Sequence, residues 1–341
     1  MDSLAVKYRP KTFDDVVEQN SVKTILLNQL ETNTIQHAYL FVGSAGCGKT
    51  TSARIFANEI NKGQGTPIEI DAASHNGVDD VRTIIDDSKT QSIDSEYKIY
   101  IFDECHMLST AAWNAMLKML EEPPKKAIYI LCTTNPEKIP QTILSRVQRY
   151  DFQKISTDGI FNRLQHIALE EFGMTPNVRI DTDALVYIAK LANGGMRTAI
   201  SLMDKCLSYS NQLTVENVVN ALGVADYSDY TQLSQAMLIG DAKGAIEVIE
   251  QVKSDGKDIK QFVKGYLEFC LDVCKYCACR DFKYIKIPNT ADYKTLLDKW
   301  AGCGQVFKHY VGVLISLNSD LRWETDPFTL VEATIYLECG A

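Results

Sequence analysis

Residues 43–50 read Gly43-Ser44-Ala45-Gly46-Cys47-Gly48-Lys49-Thr50 and fit the pattern G-x-x-x-x-G-K-[ST] at every fixed position. The apolar, β-rich run at 38–42 predicts a strand before this loop, and residues 51–60 predict a helix after it. An ordinary glycine-rich turn is the alternative interpretation. Because the loop and both flanks match, the sequence favours a phosphate-binding loop.

The residue types of the loop explain how it would hold a nucleoside triphosphate. Glycines let backbone N–H groups turn inward around the phosphates, and the following helix presents its positive end. Lys49 is expected to reach the β and γ phosphates, and the Thr50 hydroxyl to ligate Mg²⁺. The sequence therefore predicts ATP and Mg²⁺ as cofactors. The predicted nucleotide ligands of this stretch are Gly43, Ser44, Ala45, Gly46, Cys47, Gly48, Lys49, Thr50 and Thr51.

Length and composition set the class of protein. A chain of 341 residues is expected to hold two or three domains and to bury a sizeable core. No membrane span or signal-peptide pattern is present in the sequence, so a cytoplasmic location without a membrane partner is expected. The ten cysteines are expected to be reduced thiols. A net charge of −9 argues against broad electrostatic coating of nucleic acid, although local contacts to DNA remain open.

Strand and helix patterns alternate after the loop helix. Further strands are predicted at 68–71, which we expect to be buried, and at 98–104, 127–132 and 148–152. Helices are predicted at 78–88 and 110–121, the second with Ser109 as its N-cap. This alternation predicts an α/β fold with a parallel sheet covered by helices.

Two strand ends carry polar side chains. Asp103 and Glu104 end the third predicted strand, where alternation would direct Asp103 to the metal bound by Thr50 and Glu104 to the attacking water. A solvated strand end is the alternative. Residues 133–136, Thr-Thr-Asn-Pro, follow the fourth strand and are placed to read the γ phosphate, unless they form only a turn.

The N-terminal residues 7–17 form a basic and aromatic segment before the nucleotide fold. Tyr8, Arg9, Pro10 and Val17 are the candidates to hold an adenine ring, and a mobile arm is the alternative. Two arginines follow the fourth predicted strand. Arg146 could be a surface charge, a salt-bridge partner or an arginine finger supplied to another subunit. Arg197 begins a helix after an Asn-Gly-Gly turn and is a second candidate to contact the γ phosphate.

The pattern becomes helical from residue 156, and a domain boundary is predicted near residue 224. One cluster of cysteines lies beyond it, and its first three members are expected on one face of a helix. Zinc binding is possible there, but no histidine is near, so buried reduced thiols are the favoured interpretation. The members of this cluster are Cys270, Cys274, Cys277 and Cys279.

Together these motifs resemble those of the AAA+ clamp-loader ATPases, and among them the bacterial DNA polymerase III gamma/tau subunits. The resemblance covers residues 7–222 by motif and the remainder by length and helical character. The stretches that carry it are residues 8–10 (YRP), 13–19 (FDDVVEQ), 37–41 (HAYLF), 70–74 (IDAAS), 103–109 (DECHMLS), 120–124 (LEEPP), 133–136 (TTNP) and 143–146 (ILSR).

The resemblance implies roles for single residues. Lys49 and Thr50 would bind phosphate and Mg²⁺, and Asp103 with Glu104 would be the Walker B pair. The resemblance further makes Thr134 (or Thr133) sensor 1, Arg197 sensor 2 and Arg146 a trans arginine finger.

It also implies three domains: a RecA-like ATPase domain at 1–155, a small helical lid at 156–223 and an all-α collar at 224–341 that oligomerises. The implied activity is ATP-driven opening of a sliding clamp and its placement on primer-template DNA by a pentamer with other clamp-loader subunits. Arg82, Ser109 and Thr110 are the candidates for DNA contact.

The sequence departs from the family pattern in three places. Residues 61–67 stand where a four-cysteine zinc module is usual, so zinc is not predicted. Val147 follows Arg146 where cysteine is usual, which leaves the arginine intact. The chain also ends at Ala341 without the tau-type extension, so coupling to polymerase and helicase is not expected.

Two other functions are considered. A branch-migration helicase would share the motor, but the proline pair at 123–124 and the Ser145-Arg146 element disfavour it. A scaffold or switch that binds ATP without hydrolysing it would need none of Lys49, Thr50, Asp103 and Glu104, which are all present.

Overall fold

A computed structural model describes residues 3–173, 178–222 and 227–339. The chain divides into two compact units, one formed by Met1–Pro176 with Ile188–Asp204 and the other by Asn177–Tyr187 with Lys205–Ala341. The predicted boundary near residue 224 lies outside the described residues. The division into three domains therefore stays a prediction.

A five-stranded parallel sheet forms the centre of the first unit, as the alternating pattern predicted. The strands stand in the order β2-β3-β4-β1-β5, so the strand before the phosphate loop lies between two partners. All carboxyl ends of a parallel sheet meet at one edge, which is where ligands bind in open α/β sheets. The strands are β1 (Ala38–Val42), β2 (Ile68–Asp71), β3 (Lys98–Asp103), β4 (Ala127–Thr133) and β5 (Gln148–Asp151).

The helices predicted at 51–60, 78–88 and 110–121 are all present in the first unit. Ser109 caps the helix after β3 as expected, because its side-chain oxygen accepts a hydrogen bond from the Ala112 N–H at 3.2 Å. Short 3₁₀ turns occur at Cys105–Met107 and Pro136–Lys138. The helices are α1 (Leu4–Lys7), α2 (Asn20–Thr32), α3 (Lys49–Ile60), α4 (Val78–Ser88), α5 (Thr110–Glu121), α6 (Gln141–Leu144) and α7 (Thr157–Phe172).

Two apolar layers enclose the sheet. On one face, alternate residues of β3 and β4 such as Tyr100 and Tyr129 pack with Trp113 of α5. On the other face, Tyr39 of β1 packs against Phe56 of α3, with ring centroids 5.1 Å apart. Because β1, β3 and β4 are covered on both faces, their sequences are nearly continuous apolar runs.

The expectation of a buried second strand was wrong. β2 lies at the edge of the sheet and pairs only with β3. Ile70 is buried, whereas Ile68 is 37% exposed. An edge strand has a hydrogen-bonded neighbour on one side only, so an apolar residue in it is not a reliable sign of burial.

The second unit is mainly helical, but it contains one element that the sequence did not predict. Two short strands, β6 (Arg179–Ile180) and β7 (Gln212–Leu213), pair in parallel. Helices α8 (Thr182–Leu191), α9 (Met196–Tyr209) and α10 (Val215–Leu222) lie near them in the chain, and α8 and α9 each contribute residues to both units. Two-residue strands are too short to show the period-2 alternation that identifies a strand.

The described part of the second unit contains six further helices, with a 3₁₀ turn at Phe282–Tyr284. Aromatic rings of these helices form its core: Tyr230 packs against Phe262 at 5.0 Å and Phe269 at 5.8 Å between centroids. Within the described ranges, no helix has the length and apolar character needed to cross a bilayer. The helices are α11 (Tyr227–Ile239), α12 (Ala242–Ser254), α13 (Ile259–Cys279), α14 (Ala291–Lys299), α15 (Gly304–Asp320) and α16 (Pro327–Cys339).

Candidate functional site

The predicted phosphate loop joins the end of β1 to the start of α3. Gly48 has a φ of +106°, which L side chains rarely adopt, and a Cβ there would point into open space. Gly43 is needed for a different reason, because a Cβ on it would lie 2.6 Å from the Phe152 carbonyl oxygen. The loop is therefore closely packed at its base and open where its helix begins.

Lys49 is the first residue of α3 and one of the few buried charged residues, at 6% exposure. Its ammonium donates to the carbonyl oxygens of Gly43 at 2.9 Å and Ser44 at 3.0 Å. The charge is thus held inside the curve of the loop. An anion in this position would meet both the ammonium and the positive end of a 12-residue helix.

Thr50 and Asp103 meet across the edge of the sheet. The Thr50 hydroxyl lies 3.0 Å from each carboxylate oxygen of Asp103. A hydroxyl and a carboxylate are hard oxygen ligands of the kind that Mg²⁺ prefers. The donor set that the sequence assigned to the metal is therefore assembled from two segments 53 positions apart.

The sequence predicted that Glu104 ends the third strand. In the structure β3 ends at Asp103, and Glu104 lies beyond it. It adopts the left-handed conformation, with φ +46° and ψ +44°. Strand alternation therefore does not separate the two carboxylates; the turn at Glu104 does. A non-glycine residue in this region of φ/ψ space is uncommon and is often associated with a functional site.

The Glu104 carboxylate contacts the end of β4. Its Oε2 accepts from the Thr134 hydroxyl at 2.9 Å and from the Thr134 N–H at 3.3 Å. The neighbouring Thr133 is fully buried, and its hydroxyl accepts from the Asn135 N–H at 3.0 Å. Of the two threonines proposed as sensor 1, Thr134 is the one that contacts Glu104.

The N-terminal segment lines the same cleft as the phosphate loop. Tyr8, Arg9, Pro10 and Val17 all face this cleft, together with loop residues 46–51. The structure therefore places the candidates for adenine contact beside the loop. A short helix, α1, precedes the segment, and residues 8–17 form no helix or strand.

Tyr8 is anchored by the α7 helix. Its hydroxyl donates to the Glu171 carboxylate at 2.6 Å, and Lys7 forms an ion pair with the same carboxylate. Burial and the hydrogen bond to Glu171 raise the pKa of the Tyr8 phenol, so the phenol stays protonated as the donor. This attachment favours a docked segment over a mobile arm.

Arg163 of α7 also lines the cleft and was missed by sequence reasoning. Its guanidinium donates to the Tyr8 carbonyl oxygen at 3.3 Å. No motif marks this residue, because it lies within an ordinary amphipathic helix. Only the docking of the N-terminal segment onto α7 brings it to the loop.

Arg197 is the second residue of α9 and lines the same cleft. The start of α9 touches the phosphate loop, because the Met196 N–H donates to the Gly46 carbonyl at 3.0 Å. A Cβ on Gly46 would lie 3.1 Å from the Cα of Gly195. The predicted sensor 2 residue is thus attached next to the loop by a backbone contact.

Arg146 is not among the described residues that line the cleft. It follows α6, and its guanidinium donates to Glu121 at 2.8 Å, to the Thr142 carbonyl at 2.7 Å and to the Ser145 hydroxyl at 3.0 Å. The structure therefore does not unite Arg146 with Lys49, Asp103 and Glu104. A role as a finger for another subunit stays a prediction.

The candidates for DNA contact lie at exposed positions. Arg82 on α4 forms an ion pair with Asp79 at 3.1 Å, and Ser109 and Thr110 begin α5. Their contact with DNA stays a prediction.

The cysteine cluster only partly matches the expectation of buried thiols. Cys270 is buried, Cys274 and Cys277 are half-buried, and Cys279 is exposed. All ten cysteines are free thiols, and burial raises the pKa of the Cys47 thiol in the phosphate loop. Across residues 3–173, 178–222 and 227–339, no three His, Cys, Asp or Glu side chains are grouped to hold a metal ion.

Two family models match the chain. One, described as DNA polymerase III, delta subunit, matches residues 66–156, which include β2 to β5. The other, described as DNA polymerase III subunits gamma and tau domain III, matches residues 213–302 in the second unit. The first match ends before the predicted boundary near residue 224, and the second extends across it.

Curated relatives match most of this chain. The DNA polymerase III subunit tau of Bacillus subtilis is 33% identical over 356 residues, covering 97% of this chain and 62% of that protein. The subunit tau of Escherichia coli is 36% identical over 275 residues, covering 74% of this chain and 42% of that protein. The chain thus spans about half the length of these relatives.

Solved structures support the fold. The RuvB Holliday junction branch migration motor of Thermotoga maritima matches with a TM-score of 0.52 and 20% identity, covering 76% of this chain and 90% of that one. At this identity the likeness concerns the fold, which is the AAA+ fold expected from the motifs. With the phosphate loop, the carboxylate pair, the two family models and the curated relatives in agreement, the chain belongs to the DNA polymerase III gamma/tau family.

Proposed function

We propose that this chain is an ATP-hydrolysing motor subunit of a sliding-clamp loader, which opens the clamp and places it on primer-template DNA. The observation that carries the proposal is the meeting of Lys49, the Thr50–Asp103 pair and the Glu104–Thr134 pair at the carboxyl edge of the sheet. These are the groups that phosphoryl transfer to water requires, and family membership supplies the biological setting.

Each residue has a role in this proposal. Lys49 and the backbone of the loop would hold the β and γ phosphates, while the segment with Tyr8, Arg9, Pro10 and Val17 would hold the base. Thr50 and Asp103 would hold Mg²⁺, which when bound neutralises charge on the phosphate oxygens. Glu104 would orient and deprotonate the attacking water. Arg197 would contact the γ phosphate from the start of α9.

Hydrolysis would be completed only in an assembly. Arg146 is absent from the lining of its own cleft and lies partly exposed, with 34% of its side chain accessible. An arginine finger acts on the site of a neighbour, where its guanidinium stabilises charge on the transferring phosphoryl group. We propose a pentameric ring with other clamp-loader subunits, in which contact with the clamp and primed DNA aligns Arg146 with the site of the next subunit.

Steady-state ATP hydrolysis tests this function. The rate is measured for the protein alone, with primed DNA, and with primed DNA plus the sliding clamp of its own replication system. Stimulation by DNA and clamp together is expected, and Glu104→Gln should reduce the stimulated rate by roughly 10²- to 10⁴-fold while nucleotide still binds. If the full set of loader subunits hydrolysed ATP at a rate that neither primed DNA nor the clamp changed, this result would contradict a clamp-loading motor.

The two alternatives predict different results. A branch-migration motor would move a DNA junction in the absence of any clamp, and the shared fold with RuvB is its only support. A binding switch would retain ATP without turnover, so that the unaltered chain and Glu104→Gln would behave alike. A single-turnover assay with DNA present separates the switch from either motor.

A further inference from the structure

His106 occupies a position beside Glu104 that the proposed mechanism does not use. It lies in the 3₁₀ turn Cys105–Met107 that follows β3, and its side chain is only 8% exposed. Its Nδ1 lies 3.3 Å from Oε2 of Glu104 and 3.1 Å from the Thr133 hydroxyl oxygen. The imidazole thus fills the space between the glutamate and the end of β4.

The neighbours of the ring decide which nitrogen carries the proton. An unprotonated Nδ1 would place a lone pair 3.3 Å from the Glu104 carboxylate, which is repulsive, whereas a protonated Nδ1 donates to the Thr133 hydroxyl oxygen and presents its positive edge to the carboxylate. On the other side of the ring, Nε2 lies 3.5 Å from the side-chain nitrogen of Asn135, which is a donor. Both contacts are satisfied when Nδ1 is protonated and Nε2 accepts.

The Glu104 carboxylate is then held from two sides. The Thr134 hydroxyl and N–H approach Oε2 from the end of β4, and the His106 Nδ1–H approaches the same oxygen from the turn. Glu104 has φ +46° and lies in the turn after β3, so it is not part of the strand ladder that would orient its side chain. The side-chain contacts therefore determine where the carboxylate points.

We propose that His106 is a positioning residue for Glu104, acting through an Nδ1–H donor whose tautomer is fixed by Asn135. The proposal rests on the proposed ATPase function, because it concerns the residue that would activate water. His106 need not touch the nucleotide in this role. Displacement of a reacting group by about 1 Å can cost roughly 10²-fold in rate, so the loss of one orienting contact should be measurable.

Two substitutions separate positioning from packing. The side-chain amide of His106→Asn can place its N–H₂ near the position of Nδ1, whereas that of His106→Gln places it near Nε2. His106→Gln should lower the single-turnover rate of ATP hydrolysis by roughly 10- to 100-fold, with ATP affinity and melting temperature unchanged. His106→Asn should restore most of the rate. Equal rates in the two variants, or a parallel loss of affinity and melting temperature, would overturn the proposal.

A measurement without turnover keeps this inference separate from the proposed function. The imidazole ¹⁵N chemical shifts of His106, assigned by comparison with His106→Gln, report the tautomer of the neutral ring in the unaltered protein. We expect Nδ1 to be protonated, and a proton on Nε2 would overturn the inference. If the unaltered chain hydrolyses no ATP in the complete loader, the proposed function fails and the tautomer alone decides the role of His106.

Discussion

Two groups of chemically active side chains in this molecule behave in opposite ways. The first is the strand-end cluster, which consists of Lys49, Thr50, Asp103, Glu104 and Thr134. Its members come from distant parts of the chain and lie at one edge of the sheet, where Thr50 is hydrogen-bonded to Asp103 and Thr134 to Glu104. The second is the α13 cysteines, Cys270, Cys274, Cys277 and Cys279, which lie close in the chain but differ from buried to exposed.

The helix itself explains why the second group does not converge. With about 3.6 residues per turn, positions 270 and 279 are roughly two and a half turns apart and face opposite sides. A parallel sheet does the reverse, because every strand delivers its last residues to the same edge. Spacing along a chain therefore indicates a site only when it is combined with the geometry of the element that carries it.

The largest expected effect tests whether the strand-end cluster is sufficient by itself for ATP hydrolysis. Arg146→Ala should lower the stimulated hydrolysis rate by roughly 10³-fold or more, because an arginine finger stabilises the charge that develops in transfer. ATP affinity should be nearly unchanged, since Arg146 does not line the cleft. Rates and affinities are compared in the assembled loader.

Arg149→Ala is the matched control, because Arg149 lies nearby and its ion pair is with Asp151 on the same strand. It should leave the rate unchanged. A loss of ATP binding in Arg146→Ala, or an equal fall in rate in Arg149→Ala, would show that the wrong arginine was chosen as the finger.

The next effect concerns nucleotide binding. Lys49→Ala removes the ammonium that lies inside the loop and should weaken ATP binding by roughly 10- to 100-fold, the loss of one or two charged hydrogen bonds. Isothermal titration calorimetry measures the change. Lys62→Ala, at an exposed position after α3, is the control and should bind as the unaltered chain does. Unchanged affinity in Lys49→Ala would refute the assignment of the loop.

A smaller effect separates the α13 cysteines by burial. Cys270→Ala should reduce the free energy of unfolding by about 1 kcal/mol because it leaves a small cavity in a packed core. Cys279→Ala should change it by less than about 0.5 kcal/mol, as expected for a surface position. Urea denaturation gives both values. Equal losses would mean that the exposed position also packs, which would remove the contrast between the two groups.

The smallest effect is a pH dependence near the nucleotide cleft. Hydrogen bonds from Lys7 and then Tyr8 lower the pKa of the Glu171 carboxyl. A lowered folded-state pKa means that the attachment contributes fully above the ordinary glutamate pKa and is lost as the pH falls through the lowered value. Amide hydrogens of residues 4–9 should therefore be protected from exchange at neutral pH and lose protection on acidification. Glu171→Gln should lack this acid-dependent change, and an identical profile would contradict the attachment.

The sequence predicted the strand-end cluster because each of its members belongs to a motif with a fixed element beside it. Thr50 follows a glycine loop, and Asp103 and Thr134 follow apolar runs that could only be central strands. It could not predict Arg163, which depends on the docking of a distant segment. It misjudged Glu104, because a left-handed residue after a strand leaves no sign in the apolar pattern.

The fold was predicted best for strands that are covered on both faces. Such strands were recognised from their apolar runs, whereas the exposed edge strand β2 was wrongly taken as buried. The pairing of β6 with β7 was missed because two residues give no period. For the cysteines, sequence reasoning preferred packing over zinc, but it could not tell that burial decreases along α13.

The edge position of β2 has a consequence for how such chains can diverge. The turn at residues 61–67 leads into this outermost strand, and Asn61 fixes its base by exchanging two hydrogen bonds of 2.9 Å with the backbone of Tyr97. Segments added or deleted beyond that anchor alter one rim of the sheet and leave the pairing of the other four strands intact. The turn is thus a position at which inserted residues would leave the strand-end cluster undisturbed.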